Sequence, residues 1–128
     1  MIYLTGANGM IGKRFKELYD KPITNISYRK KVPKNLFESH DKSCLIHLGW
    51  SSTTRTSNID QIERDVYNSK KLFEYYLEKN PDGKIIFVST AGDMHQSKVD
   101  DIINTELSEP RPRTLYGQSK LKVERILE

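Results

Sequence analysis

At 128 residues, with 36% apolar and 30% charged side chains, the chain can build one domain around one modest core, and its apolar residues cluster too periodically for a disordered segment. The net charge of +4 is spread along the sequence, and its one dense run, SYRKKVPK (27–34), has no aromatic-rich RNA signature beside it, which argues against nucleic acid and for a solvated face or one phosphate partner. A single cysteine, Cys44, allows no internal disulfide and fits a reducing cytoplasm; no run reaches the ~20 apolar residues of a membrane helix, and the glycine-interrupted start is no signal peptide.

IYLT (2–5) is an apolar run closed by glycine, the pattern of a buried strand. Gly6, Gly9 and Gly12 follow three apart, and Ile11, Phe15, Leu18 and Tyr19 then recur at helical spacing until Asp20-Lys21-Pro22 ends the helix. ITNISY (23–28) reads as a second strand that ends in a basic turn. Residues 31–43 carry weak signals, with a short strand or turn around Asn35 to Glu38. CLIHL (44–48) is a third strand and SSTTRTS (51–57) a polar loop. Asn58 caps a helix whose Ile59, Ile62, Val66, Phe73 and Leu77 share one face. The turn Asn80-Pro81-Asp82-Gly83 leads into KIIFVST (84–90), a further buried strand. Residues 91–113 are polar and proline-bearing, a long functional loop or a loop with a short helix. A last helix starts near Thr114, with Leu115, Val123 and Ile126 apolar.

Strands alternating with helices in this order predict an α/β fold with a doubly wound parallel sheet and helices on both faces. A strand, a tight glycine turn and a helix N-terminus make a phosphate site, because the first backbone N–H groups of the helix lack internal partners and carry the positive end of its dipole. Glycine permits close approach of a pyrophosphate, and Gly12, one turn into the helix, permits close packing. The alternative is a glycine-rich turn with no ligand. Tyr116 and Lys120 are four apart, so on a helix they share a face. An ammonium beside a phenol favours the phenolate, and a tyrosine so tuned can exchange a proton with a hydroxyl. The alternative there is an ordinary amphipathic helix. His40, His47 and His95 lack metal-ligand spacing, so no metal site is expected.

TGANGMIG (5–12) resembles the T-G-x-x-G-x-x-G turn of the extended short-chain dehydrogenase/reductase family, which holds nucleotide-sugar epimerases, dehydratases and reductases. Four further segments match in order. IHLGWSS is similar to the family's H-L-A-A segment, with Gly49 and Trp50 in place of two alanines. RDVYNSKKLFEYY is similar to its N-V-x-x-T-x-x-L-L-E helix, FVSTAG to the strand ending in the catalytic Ser/Thr, and YGQSKLKVE to its Y-G-x-S-K-x-x-x-E. The resemblance spans the whole chain.

The resemblance implies a Rossmann-like NAD(P)-binding domain over 1–128, C-terminally truncated, with the substrate domain absent. It implies Thr90, Tyr116 and Lys120 as catalytic residues, with Ser89 as the fallback for Thr90. The cofactor would lie against Gly6, Asn8, Gly9, Met10, Ile11, Gly12, Leu48, Gly49, Trp50 and Tyr116, and Lys120 would also bond the nicotinamide ribose. Asp65 stands where many relatives carry Asn; it reads as a surface charge and not as catalytic. His95 falls where the family usually has a Tyr-Gly pair, in a loop that faces the sugar.

An acid at the end of the second strand would bond the ribose 2′-hydroxyl; here Arg29 and its lysine neighbours stand instead, which favours NADP over NAD. The short stretch before CLIHL implies a crossover helix reduced to a turn, and a sheet with an uncovered edge that is marginal and prone to associate, as a homodimer or with a partner chain. The activity implied is NAD(P)-dependent epimerase or dehydratase chemistry on a nucleotide-sugar, in a cytoplasmic protein with no nucleic-acid or membrane partner. The alternative is a truncated, non-catalytic NAD(P)-binding or partner-binding module.

Overall fold

A computed structural model describes residues 1–28, 30–95 and 103–128. Its elements in chain order are β1 (Ile2–Thr5), α1 (Met10–Leu18), β2 (Ile23–Ile26), β3 (Cys44–His47), α2 (Ile59–Lys79), β4 (Lys84–Phe87) and α3 (Leu115–Leu127). The strands form one parallel sheet in the order β2-β1-β3-β4. The predicted strands are each present, IYLT with its predicted bounds and the others shorter: Ser27, Tyr28, Leu48 and Val88 to Thr90 lie beyond the strand ends. KIIF, expected to be buried, is instead the edge strand β4, with Lys84 and Ile86 exposed and Ile85 and Phe87 half-buried, because among the described residues it has a neighbouring strand on one side only. Among the described residues of 27–43 there is neither helix nor strand, so the crossover between β2 and β3 is a turn-bearing segment, pinned by buried Val32 and Phe37.

The chain divides into two compact units: 1–50 with 68–88, and 51–67 with 89–128. The first holds the sheet. Alternation along each strand sends Tyr3, Thr5, Leu45 and His47 to one face and Leu4 and Ile46 to the other. On the second face Leu4, Ala7 and Ile46 form a core with Ile2, Phe15, Ile23, Cys44 and Leu48 around it, so α1 covers that side through Phe15. On the first face, Tyr3 packs edge-on to Phe37 and Tyr76 with ring centres 5.0 and 6.1 Å away. The doubly wound arrangement follows, since strands buried on both faces need apolar residues at successive positions, as IYLT and CLIH supply.

The buried stripe of α2 differs from the expected one. Ile62, Leu72, Phe73 and Tyr76 are buried, whereas Ile59 and Leu77 are exposed. Position 76 shares the inward face of Leu72 and Phe73, where its ring packs against Tyr3 and Phe37 and its hydroxyl meets Ser43 Oγ at 2.8 Å, so an amphipathic tyrosine fills the place that periodicity gave to Leu77. Asn58 does cap α2, its Oδ1 accepting from Gln61 N–H at 3.2 Å. In the second unit Thr114 caps α3, accepting from Gly117 N–H at 2.9 Å, and Gly117, Ser119, Lys120 and Val123 are its buried residues. Met94 is buried there too, and His95 and Arg111 form an isolated parallel bridge across the loop.

Candidate functional site

The glycine turn lies in the first unit. Gly6 is left-handed, with φ +69°, and a Cβ on it would stand 2.8 Å from the Gly49 nitrogen. Both the dihedral and the space demand glycine there. Gly12 is buried, and a side chain on it would collide with the Gly6 carbonyl oxygen and with Ala7. The turn therefore folds back on the first coil of α1. Gly9 is the N-cap residue of α1 in extended conformation; no side chain caps it and no acid stands in the first turn. Asn8, Gly9, Met10 and Ile11 are exposed, the last two unusually so for apolar side chains. A helix start that is electropositive, uncapped and bare fits a pyrophosphate.

The segment after β3 lies against this turn, as the Gly6–Gly49 approach shows, and Gly49 N–H donates to Thr5 Oγ1 at 2.9 Å. Trp50, bulkier than the alanine of the resembled motif, packs with its ring 5.8 Å from Phe87 and 6.3 Å from His47. These residues could hold a dinucleotide. At the end of β2, Arg29 lies outside the described residues; the adjacent turn is fixed by Asn68, whose Nδ2 donates to the Lys30 carbonyl at 3.2 Å.

Tyr116 and Lys120 lie in the second unit, in the first two turns of α3. Lys120 is 3% exposed, and its Nζ lies over the Tyr116 ring, 5.7 Å from the centre. Burial lowers the lysine to about 8, against the opposing pull of Asp65 and Glu124. Tyr116 moves the other way from the sequence expectation. Burial raises its phenol above 10, and Asp93 and Asp65 push it further. The cation sits on the ring face, where it is a cation–π partner, and the carboxylates resist a phenolate.

Asp65 is more than the surface charge that the sequence suggested. Its two carboxylate oxygens accept from the backbone N–H and the hydroxyl of both Ser51 and Ser52, at 3.2 and 2.6 Å and at 2.9 and 2.6 Å. The only sequence signal was an acid at an Asn position, seven residues into a helix. Asp93 likewise has a structural partner, accepting from Thr114 Oγ1 at 3.1 Å.

Thr90 and Ser89 follow β4 and line a cavity of about 770 Å³ with Met94, His95, Glu106 and Glu124 among others. Ser89 Oγ and His95 Nδ1 are buried and have no hydrogen-bond partner among the described residues. Tyr116 and Lys120 are not among the residues lining this cavity. Among the described residues no three His, Cys, Asp or Glu side chains gather as a metal set, and no helix is long and apolar enough to cross a membrane.

The family model for the NAD dependent epimerase/dehydratase family matches residues 18–128. Among solved structures the chain is similar to RMD from Pseudomonas aeruginosa complexed with NADPH, at 19% identity and a TM-score of 0.74, over 98% of this chain and 47% of that one. It is similar to MoeE5 in complex with UDP-glucose and NAD, at 20% and 0.73, over 98% and 47%. It is also similar to UDP-N-acetylglucosamine 4-epimerase from Bacillus cereus, at 21% and 0.74, over 98% and 52%. At these identities the likeness is one of fold. The chain spans about half the length of these structures. No curated protein matches it.

Proposed function

The chain belongs to the NAD dependent epimerase/dehydratase family, and from that membership we propose that it is the dinucleotide-holding and acid–base part of an enzyme that oxidises and reduces a nucleotide-linked sugar. The observation that carries this reading is the built turn in which Gly6, at φ +69°, meets Gly49 beside the uncapped start of α1. A bound nicotinamide dinucleotide supplies a hydride acceptor and donor. The backbone N–H groups at Met10 and Ile11 would bind its pyrophosphate, and Leu48, Gly49 and Trp50 would line it. Lys120 Nζ would bond the nicotinamide ribose. Tyr116 Oη would take the proton of the sugar hydroxyl on oxidation and return it on reduction, and Thr90 Oγ1, with Ser89 as second candidate, would orient the substrate oxygen.

NADP is favoured over NAD, because the sequence after β2 carries Arg29, Lys30 and Lys31 where an acid would bond a free 2′-hydroxyl. One of the similar structures is complexed with NADPH and another with NAD and UDP-glucose, which supports a nicotinamide cofactor and a sugar nucleotide as substrate class. The second reading is a non-catalytic NAD(P)-binding module. The raised phenol of Tyr116 favours it, since a base must lose that proton.

Titration of the purified chain with NADPH and NADH, followed by cofactor fluorescence, tests the first reading, with Gly9→Asp as the control that puts a carboxylate where the pyrophosphate would lie. Saturable binding lost in the control is the expected result. A folded chain that binds neither cofactor overturns it.

A further inference from the structure

We propose that His47 is a positioning residue of the dinucleotide site: a neutral imidazole, protonated at Nε2, that ties α2 to the end of β1 and so fixes the approach of Gly6 to Gly49. What the site holds rests on the reading above; the latch itself rests on hydrogen-bond geometry alone.

His47 is 1% exposed, and both ring nitrogens are bonded. Nδ1 lies 2.6 Å from Thr5 Oγ1 and Nε2 lies 2.9 Å from Ser69 Oγ. Thr5 Oγ1 also accepts from Gly49 N–H. A hydroxyl has one proton to give and two lone pairs. Among the described residues the Thr5 side chain meets only Gly49 and His47. Were Nδ1 the donor, the Thr5 proton would be buried without an acceptor in a side chain 2% exposed. Every group is satisfied only when Thr5 donates to a bare Nδ1. His47 then carries its proton on Nε2 and donates it to Ser69 on α2. A second ring proton has no place, because it would point at the Thr5 hydroxyl proton. Phe73 and Phe87, 5.5 and 5.7 Å away, hold the ring in this setting.

The relay ends on the atom that matters for the turn. Thr5 is the last residue of β1, and Gly6 begins the turn. The Gly49 nitrogen that Thr5 holds is the atom 2.8 Å from a hypothetical Gly6 Cβ. The two segments that would line a dinucleotide are thus joined by Thr5, and His47 sets the direction in which the Thr5 hydroxyl points.

Imidazole ¹⁵N NMR of the intact chain reads the tautomer directly. A protonated Nε2 and a bare Nδ1 on His47 are expected; a protonated Nδ1, or both, overturns the proposal. Amide exchange at Gly49 and the affinities for NADPH and NADH are then compared in the wild type, His47→Phe, which keeps the packed ring, and His47→Asn, whose amide oxygen can still accept from Thr5. Loss of one buried hydrogen bond corresponds to roughly tenfold. Gly49 exchange about tenfold faster and cofactor affinity about tenfold weaker in His47→Phe, both largely restored in His47→Asn, support the latch. A folded His47→Phe protein with wild-type Gly49 exchange sinks it. If the wild type binds neither cofactor, the dinucleotide reading fails, while the tautomer and the Gly49 exchange still decide the latch.

Discussion

The ammonium of Lys120 lies 5.7 Å from the centre of the Tyr116 ring, one helical turn away on α3, and burial favours the uncharged form of both side chains. The lysine, lowered from 10.5 to about 8, is charged in both folded and unfolded chains below pH 8, where the cost of burying that charge is fully present. Between pH 8 and 10.5 the unfolded chain binds more protons, so this group makes stability rise with pH. Tyr116, raised above 10, acts in the opposite sense: above pH 10 the unfolded chain loses its proton first and stability falls. Lys120→Met should therefore melt above the wild type at pH 7, and the difference should shrink as pH rises from 8 to 10.5. Melting curves across that range check it; a gap independent of pH would contradict the assignment.

Removal of the Tyr116 hydroxyl should separate binding from chemistry. Tyr116→Phe is expected to lower turnover of a nucleotide-sugar by roughly 10²–10⁴, the usual worth of a placed acid–base group, with little change in NADPH or NADH affinity. Steady-state assay beside fluorescence titration reads both quantities. Unchanged turnover would remove Tyr116 from the mechanism.

Asp65→Asn keeps the shape of the Ser51–Ser52 clamp and removes its charge. An amide has one acceptor oxygen for four donors and turns its own N–H₂ toward two of them. A loss of about 1–3 kcal/mol in unfolding free energy is expected, with faster amide exchange at Ser51 and Ser52. The lysine also loses a favourable charge, so Lys120 should titrate lower than in the wild type. Denaturant unfolding and exchange rates at those two amides measure the first effect, and NMR titration of the lysine measures the second.

Gly6→Ala meets both a left-handed φ and the 2.8 Å approach to Gly49. A conformational cost on the order of 1–2 kcal/mol comes from the dihedral alone, before any clash is relieved. Melting temperature and cofactor affinity should fall together in Gly6→Ala. In Gly9→Asp only affinity should fall, since position 9 is exposed and extended. A Gly6→Ala protein as stable as wild type would remove the close approach from the account.

Sequence patterning by itself determined the sheet, because IYLT, ITNI, CLIH and KIIF announce strands and the intervening periodic segments announce helices on both faces, although the apolar run of KIIF did not tell that β4 is a half-exposed edge strand. The glycine turn was legible for the same reason: three glycines between a strand and a helix have a backbone meaning that needs no partner. The membership of α2's buried stripe was not legible, since the partners that bury Tyr76, the rings of Tyr3 and Phe37 and the hydroxyl of Ser43, come from distant parts of the chain. The direction of the Tyr116 shift also escaped. Four-residue spacing brings an ammonium near a phenol, but burial and the carboxylates of Asp65 and Asp93 come from other segments, and they outweigh it. Asp65 with Ser51 and Ser52, and Thr5 with His47 and Ser69, are joined across separate elements. Periodicity encodes which face of one element is apolar. Which polar atoms meet across elements is decided by the packing of strands and helices, and that only the tertiary structure supplies.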